Sequence, residues 1–370
     1  MLYSINIKNI SNKKGGMLVG ENLKQYFPMI RTREELIREI KENPGLLKNY
    51  DEWNEEQQKE FIDYCTGVKG VKILYDAFFK EIMNPENTPE RLNELLSLLL
   101  YQKVRIRSVL PGDSTRIAEE SSILIMDILV ELEDGSLANV EVQKIGYRFP
   151  GQRSACYSAD LLLRQYKRVK GERKKTFSYK DIKSVYTIVF FEKSIKEFHE
   201  FPQHYIHRFE QQSDSGLCME LLQKYVFIPL DIFRERHQNI TNKTEAWLTF
   251  LSTDSPEQII QLIKKYPQFR EMYEEIYVIC RNVERVMEMF SKELLELDKN
   301  TVQYMIDEMQ ETIDSQKNEL EQKQNELEEK QETIDIQQNK LEEQKNEIEA
   351  TKQMLSEALE KIQQLEQANN

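Results

Sequence analysis

A chain of 370 residues, 39% hydrophobic and 31% charged, has room for one or two domains plus an extension. Its net charge of −13 is uneven: residues 311–370 hold 16 acids and 7 lysines, so residues 1–310 are left with only −4. The acidic total therefore describes the tail and does not exclude an anionic partner for the rest. The sequence has no run of about 18 apolar residues. Its start, Met1-Leu-Tyr-Ser-Ile-Asn-Ile-Lys8, lacks the apolar core of a signal peptide, so a cytoplasmic protein without a membrane segment is expected. Cys65, Cys156, Cys218 and Cys280 are widely spaced and form no Cys-x-x-Cys. That argues against a disulfide framework or a zinc site and for a reducing compartment.

Residues 1 to about 30 are mixed, with a turn at Lys13-Lys14-Gly15-Gly16. Thr32-Arg-Glu-Glu35 reads as a helix start with acids in its first turn, and that helix should stop near Asn43-Pro44-Gly45. Glu52 to Tyr64 predicts another helix, and Val71 to Met83 a third, ended by Asn84-Pro85. Thr88-Pro89-Glu90 opens the next, with Pro at the favoured first position. Leu92, Leu95, Leu96, Leu98, Leu99 and Leu100 surround most of it, so it should be well buried. Lys103 to Leu110 alternates as a strand and closes at Pro111-Gly112. Ile123 to Leu132 is an apolar, β-branched run, Asp134-Gly135 is a hairpin signal, and Leu137 to Ile145 is the return strand. Pro150-Gly151 precedes a helix from Arg153 to Lys170, and Ile182 to Phe191 is a final apolar strand.

Beyond Phe198 the sequence predicts loops and short elements, with Tyr225 to Asp231 strand-like. Thr244 to Asn300 is helical, with breaks at Ser255-Pro256 and Pro267. His199, His204, His207 and His237 match no metal-ligand spacing and read as loop and packing residues. From Ile306 a hydrophobic residue recurs every seven positions: Ile313, Leu320, Leu327, Ile334, Leu341, Ile348, Leu355, Ile362. This predicts a coiled coil. If these are d positions, the a positions are Lys317, Gln324, Gln331, Gln338, Lys345, Lys352 and Leu359, a seam half polar and therefore weak or partner-dependent. The expected organisation is a helical, partly flexible region over 1–70, an α/β core over 71–200, a mainly helical accessory region over 201–305 and a coiled coil over 306–370 that makes a homo-oligomer, most simply a dimer.

The chemistry concentrates in the hairpin. Strand alternation puts Glu141 and Gln143 on one face and Val140 and Val142 on the other. Asp127 interrupts the apolar run of the first strand, and a lone carboxylate there is costly to bury unless it finds a partner. A divalent cation between Asp127 and Glu141 would remove that cost and create a reactive centre.

Asp76-Ala-Phe-Phe-Lys80, the Leu92–Leu100 helix, Asp127-Ile, Asn139-Val-Glu-Val-Gln143 and Arg153-Ser-Ala-Cys-Tyr-Ser-Ala-Asp-Leu-Leu-Leu-Arg-Gln165 occur in an order that resembles the bacterial PD-(D/E)XK nuclease family transposases, the recombination-promoting nucleases. The resemblance covers roughly residues 70 to 195 in its motifs, and the later helices and tail also look like one branch of that family. It implies a restriction-endonuclease-like core, a mixed central sheet flanked by helices, followed by a helical accessory region and a long C-terminal coiled-coil helix. It further implies Mg²⁺- or Mn²⁺-dependent hydrolysis of DNA in recombination or mobile elements. Asp127 and Glu141 would bind the metal with the carbonyl of Val142. Gln143 would orient water or a phosphate oxygen, and Asp76, ahead of Glu94, would supply a further acid.

Two positions depart from the motif: Met126 replaces the Pro, which is no ligand, and Gln143 replaces the Lys. Gln can hydrogen-bond but carries no charge. Lys144 is adjacent, but alternation sends it to the opposite face. Lys80, Arg153, Tyr157, Arg164, Gln165, Lys167 and Arg168 are the candidate DNA contacts. The last four begin a basic run through Lys175 that suits a phosphate backbone and equally suits a helix C-terminal dipole. A catalytically inactive DNA-binding scaffold is the competing reading. RNA as substrate is a third, although no aromatic RNA-binding motif is visible.

Overall fold

The computed structural model describes residues 22–111, 127–144, 150–236 and 239–368. The Lys13–Gly16 turn, Gly112, residues 123–126 with Met126, Ile145 and His237 lie outside the described residues. The chain forms two units, one ending at Tyr304 and one beginning at Met305.

The first unit opens with α1 (Arg33–Glu42), α2 (Pro44–Asp51) and α3 (Glu55–Cys65). Thr32 and Glu35 form a reciprocal capping box on α1. The break foreseen at Asn43-Pro44 is real, but a new helix starts there at once, because Asn43 accepts the N–H groups of Gly45 and Leu46 and Pro44 occupies the first turn. The helix expected over Val71–Met83 is shorter: α4 spans Asp76–Ile82. Val71, Ile73, Leu74 and Tyr75 are buried without helical structure, and the Gly70 N–H is taken by Asp254 O at 2.7 Å. α5 (Pro89–Leu100) begins at its Pro as expected.

Six strands form one sheet in the order β1-β2-β3-β4-β6-β5: β1 (Ile106–Leu110), β2 (Ile128–Leu132), β3 (Leu137–Gln143), β4 (Val185–Phe191), β5 (His207–Phe209) and β6 (Gln223–Pro229). β1, β2 and β3 are antiparallel neighbours, β3, β4 and β6 run parallel, and β5 is antiparallel on the far edge. The β2–β3 turn uses Gly135 at φ 86°, and Asp134 accepts the Ser136 N–H. α6 (Pro150–Arg173) crosses between the parallel strands β3 and β4.

The sheet separates two kinds of interior. On one face Val130, Val140, Ile188, Phe190 and Ile228 join the main core, which takes in α4, α5 and the helices α8 (Leu230–Arg236), α9 (Lys243–Ser252), α10 (Pro256–Lys265) and α11 (Gln268–Ile279). On the other, Tyr157 and Leu161 of α6 cover Leu129, Leu137 and Val185. A short helix, α7 (Lys196–His199), adds Phe198 to Val189, Phe191 and Phe227 farther along that face. The fold is the α/β class with a mixed sheet and flanking helices that the sequence implied. α12 (Val283–Ala368) begins in the first unit and supplies the second, where Leu320, Leu327, Ile334 and Leu341 are exposed. Among the described residues no helix is long and apolar enough to cross a membrane.

Candidate active site

Ile128 pairs with Val140 and Leu129 with Asn139; one step further along that register puts Asp127 opposite Glu141. Asp127 Oδ2 accepts the Val142 N–H at 2.8 Å, which fixes the carboxylate at the open end of the hairpin. Asp127 Oδ1 lies 3.4 Å from Lys80 Nζ, and Lys80 is 2.8 Å from Asp76 Oδ1. The Asp76/Lys80 spacing places both on one face of α4. Asp76 thus reaches the pair through Lys80.

From the α6 side, the Tyr157 hydroxyl donates to Glu141 and accepts from Arg153 Nη2 at 2.7 Å. The Arg153 guanidinium also lies over the Tyr157 ring, 5.3 Å from its centroid. Asn139 Nδ2 donates to Glu141 Oε2 at 3.1 Å.

Glu141 is only 4% exposed. Burial, reinforced by the Asp127 charge, pushes its carboxyl up to about 8, against the pull of Asn139, Arg153 and Tyr157. Burial also raises Asp127, with Asp76 adding to it and Lys80 and the Val142 N–H opposing it. Burial disfavours the Lys80 ammonium, but Asp127 and Asp76 outweigh it and hold its pKa above the ordinary value. Two facing carboxylates in a low-dielectric site resist joint ionisation until a counter-cation arrives.

Gln143 lies beside them on the same strand face, 3% exposed, and among the described residues neither its amide nitrogen nor its oxygen has a hydrogen-bond partner. Asn139 Oδ1, Ser154 Oγ and Thr187 Oγ1 are buried and unpartnered too. Each such group costs stability unless water, an ion or a substrate atom satisfies it.

Among the described residues no group of three or more His, Cys, Asp or Glu is poised to hold a metal. Two carboxylates, a neighbouring backbone and orphaned amides fit the hard, water-rich coordination of Mg²⁺ or Mn²⁺ far better than a closed zinc site. Two of the described histidines are occupied otherwise: His207 contacts the His204 carbonyl at 3.1 Å. His199 Nε2 meets both Ser194 Oγ and Asp231 Oδ2 at 3.3 Å. Because both partners share one ring nitrogen and Ser194 donates to Asp231, this is a loop clamp rather than a nucleophilic triad.

The rest of α6 is employed elsewhere. Arg164 is bonded to the buried Asp160 at 2.7 Å and to the Pro111 carbonyl at 2.8 Å. Gln165 is fully buried; it donates to Gly135 O at 2.7 Å and accepts the Lys183 N–H at 3.0 Å, tying the hairpin turn to the helix. Arg168 pairs with the buried Glu131. Lys167 is exposed. These residues lie about three to four turns from Arg153 and are not brought to the carboxylates. Glu94 is also elsewhere, paired with Lys243 at 2.5 Å.

One residue escaped sequence reasoning. Glu293, at the start of α12, is 3% exposed, forms a buried ion pair with Lys144 and accepts the Asp76 N–H at 3.1 Å. It joins the end of the Glu141 strand to the uncapped start of α4. A helical spacing pattern could not reveal a contact 149 residues away.

An acid entering one strand opposite Glu-x-Gln on the next, in a mixed sheet backed by helices, defines a restriction-endonuclease-like core. Residues 73–305 match the family model described as PD-(D/E)XK nuclease family transposase, and the chain belongs to that family. No curated protein and no solved structure shows significant similarity to it. Membership gives the chain a nuclease-type core linked to mobile elements.

Proposed function

We propose that this protein is a metal-dependent endonuclease that hydrolyses phosphodiester bonds in DNA. The observation that carries the reading is the buried Asp127–Glu141 pair, with raised pKa values and the unpartnered Gln143 amide beside it. Asp127 and Glu141, with the Val142 carbonyl, would hold Mg²⁺ or Mn²⁺. When bound, the ion supplies charge stabilisation at the scissile phosphate and a more acidic water.

Gln143 orients the attacking water or a phosphate oxygen through its free amide. Lys80 contributes the positive charge that Gln143 lacks, and its two acidic neighbours keep it protonated. Asp76 fixes Lys80 in place. Arg153 and Tyr157 orient Glu141 and meet the DNA backbone, and exposed Lys167 with the rest of the basic run extends the phosphate contact. The heptad positions of 306–370 pair two chains, so that one core acts on each strand.

A non-catalytic DNA-binding scaffold is the second reading. It is favoured by Gln143 and by the commitment of Lys144 to Glu293, which leaves that lysine no role at the site. Plasmid DNA with Mg²⁺ or Mn²⁺ separates the two. Nicking by the wild type that is lost in Asp127→Ala and Glu141→Ala is the expected result. Silence at high enzyme excess, with DNA still shifted in a gel, would establish the scaffold reading instead.

A further inference from the structure

A cavity of about 650 Å³ opens on the same sheet face as the carboxylates, beyond the start of α6. Phe198, Phe201, His207, Phe209, Tyr225 and Phe227 line it. We propose that this pocket receives an unpaired nucleobase of the strand engaged at Asp127 and Glu141. The nuclease reading supplies the position of that strand; the pocket supplies a preference for unpaired DNA.

Register fixes the relation between the two places. Glu141 pairs with Val189, Val189 with Phe227, and Phe227 with His207, so the four stand in one row straight across β3, β4, β6 and β5. Directly paired residues share a face, and two strand spacings separate Glu141 from Phe227 by about 10 Å. The N-terminal turns of α6 stand between them. Arg153 and Tyr157 flank the carboxylates, while Gly151 and Ala155, on the other flank of the helix, line the pocket. Among the described residues, a Cβ added at Gly151 would meet nothing within 4 Å, so the helix is open at that position. Among the described residues, no side chain at Gly151 bars a strand that passes the helix start from the carboxylates to the pocket.

The chemistry of the walls selects the occupant. Six rings from α7, β5, β6 and the loop before β5 surround the space, and Phe201 and Phe209 are 56% and 47% exposed. The Phe209 and Phe227 centroids are 5.1 Å apart and those of Phe198 and His207 5.1 Å, both pairs tilted rather than stacked flat on each other. Glu197 is the one carboxylate among the lining residues, which disfavours a phosphate inside. A planar, uncharged, polarisable group fits, and aromatic walls that stack any base are how sequence-tolerant single-strand binders work. A base within an intact duplex is stacked on its neighbours and cannot enter a pocket floored by the sheet, so the occupant is unpaired.

The test measures binding by full-length protein in EDTA, so that no hydrolysis intrudes. The probes are a labelled duplex, the same duplex with a short unpaired gap, and the gapped form carrying 2-aminopurine in the gap. The wild type should prefer gapped DNA by about tenfold and change the 2-aminopurine emission on binding. Phe201→Ala combined with Phe209→Ala, two exposed positions, should remove the preference and leave duplex affinity unchanged. Ala155→Trp, which fills the pocket from an exposed helix position, should do the same. Asp127→Ala should retain the preference, and a wild type that prefers gapped DNA here yet never nicks plasmid with Mg²⁺ or Mn²⁺ loses the nuclease reading and keeps the pocket. Equal affinity for both DNAs, or a preference that survives both pocket variants, overturns the proposal. So does concentration-dependent self-association that the Phe201/Phe209 variant abolishes, because the pocket would then hold a second copy of this chain.

Discussion

Ala138 and Val140 on one face of β3, and Asn139, Glu141 and Gln143 on the other, are almost equally buried. The first face is apolar and joins the main core. The second carries two amides and a carboxyl, and Asn139 Oδ1 and both Gln143 polar atoms have no partner among the described residues. One strand therefore holds a dry, self-sufficient surface and, a side chain away, a surface that is incomplete as protein alone. Removing a group from the first should cost stability. Removing the charge from the second should cost function and relieve the fold.

The largest expected effect is on that second face. Glu141→Gln should reduce metal-dependent cleavage on the order of 10³-fold in a plasmid assay. The same variant should melt above the wild type at about pH 8 in metal-free buffer. The sign follows from the raised Glu141 carboxyl: the unfolded chain ionises near 4.5 and the folded one near 8, so the wild type loses stability as pH climbs between them. A glutamine has no proton to lose and escapes that loss. A lower melting temperature for Glu141→Gln at that pH would show that the carboxylate is already satisfied by the protein.

Glu293→Ala comes next. It strands the buried Lys144 ammonium and the Asp76 N–H together, and urea denaturation should show a loss of about 3–5 kcal/mol. Val140→Ala sharpens the contrast from the dry face. It should cost about 2 kcal/mol in the same assay, and its metal affinity should match the wild type. The smallest effect is on the metal response itself. Because the carboxyls must lose protons to bind a cation, the thermal shift produced by Mg²⁺ should be larger at about pH 8 than at about pH 6. A shift that is flat with pH would place the ion somewhere other than Asp127 and Glu141.

Much of this site was legible in the sequence because it is local. The hairpin turn at Asp134-Gly135 sets the register, and register alone brings Asp127 opposite Glu141. Asp76 and Lys80 were legible as a pair one helical turn apart, although nothing in their spacing disclosed that Lys80 would reach Asp127. What the sequence concealed depends on distant partners. Arg168 read as a DNA contact because its counter-ion Glu131 lies on a strand far away in the chain, whereas Asp160, one helical turn from Arg164, was a partner the spacing already offered. Val71 to Tyr75 read as helix because a continuous apolar run looks alike whichever element buries it; the segment is instead irregular, with a turn closed by the Tyr75 N–H on Lys72 O and a tertiary bond from Gly70 to Asp254. The aromatic pocket was hidden for the same reason, since its rings come from separate elements that only the sheet order assembles.

Isothermal titration of metal-free protein with Mn²⁺ at about pH 8 addresses the central claim most directly, because it asks whether the incomplete face of β3 is a cation site. The wild type and Val140→Ala should show the same binding event, and Asp127→Ala and Glu141→Ala should each abolish it. Binding that survives both carboxylate substitutions, or no binding by the wild type, would contradict the account.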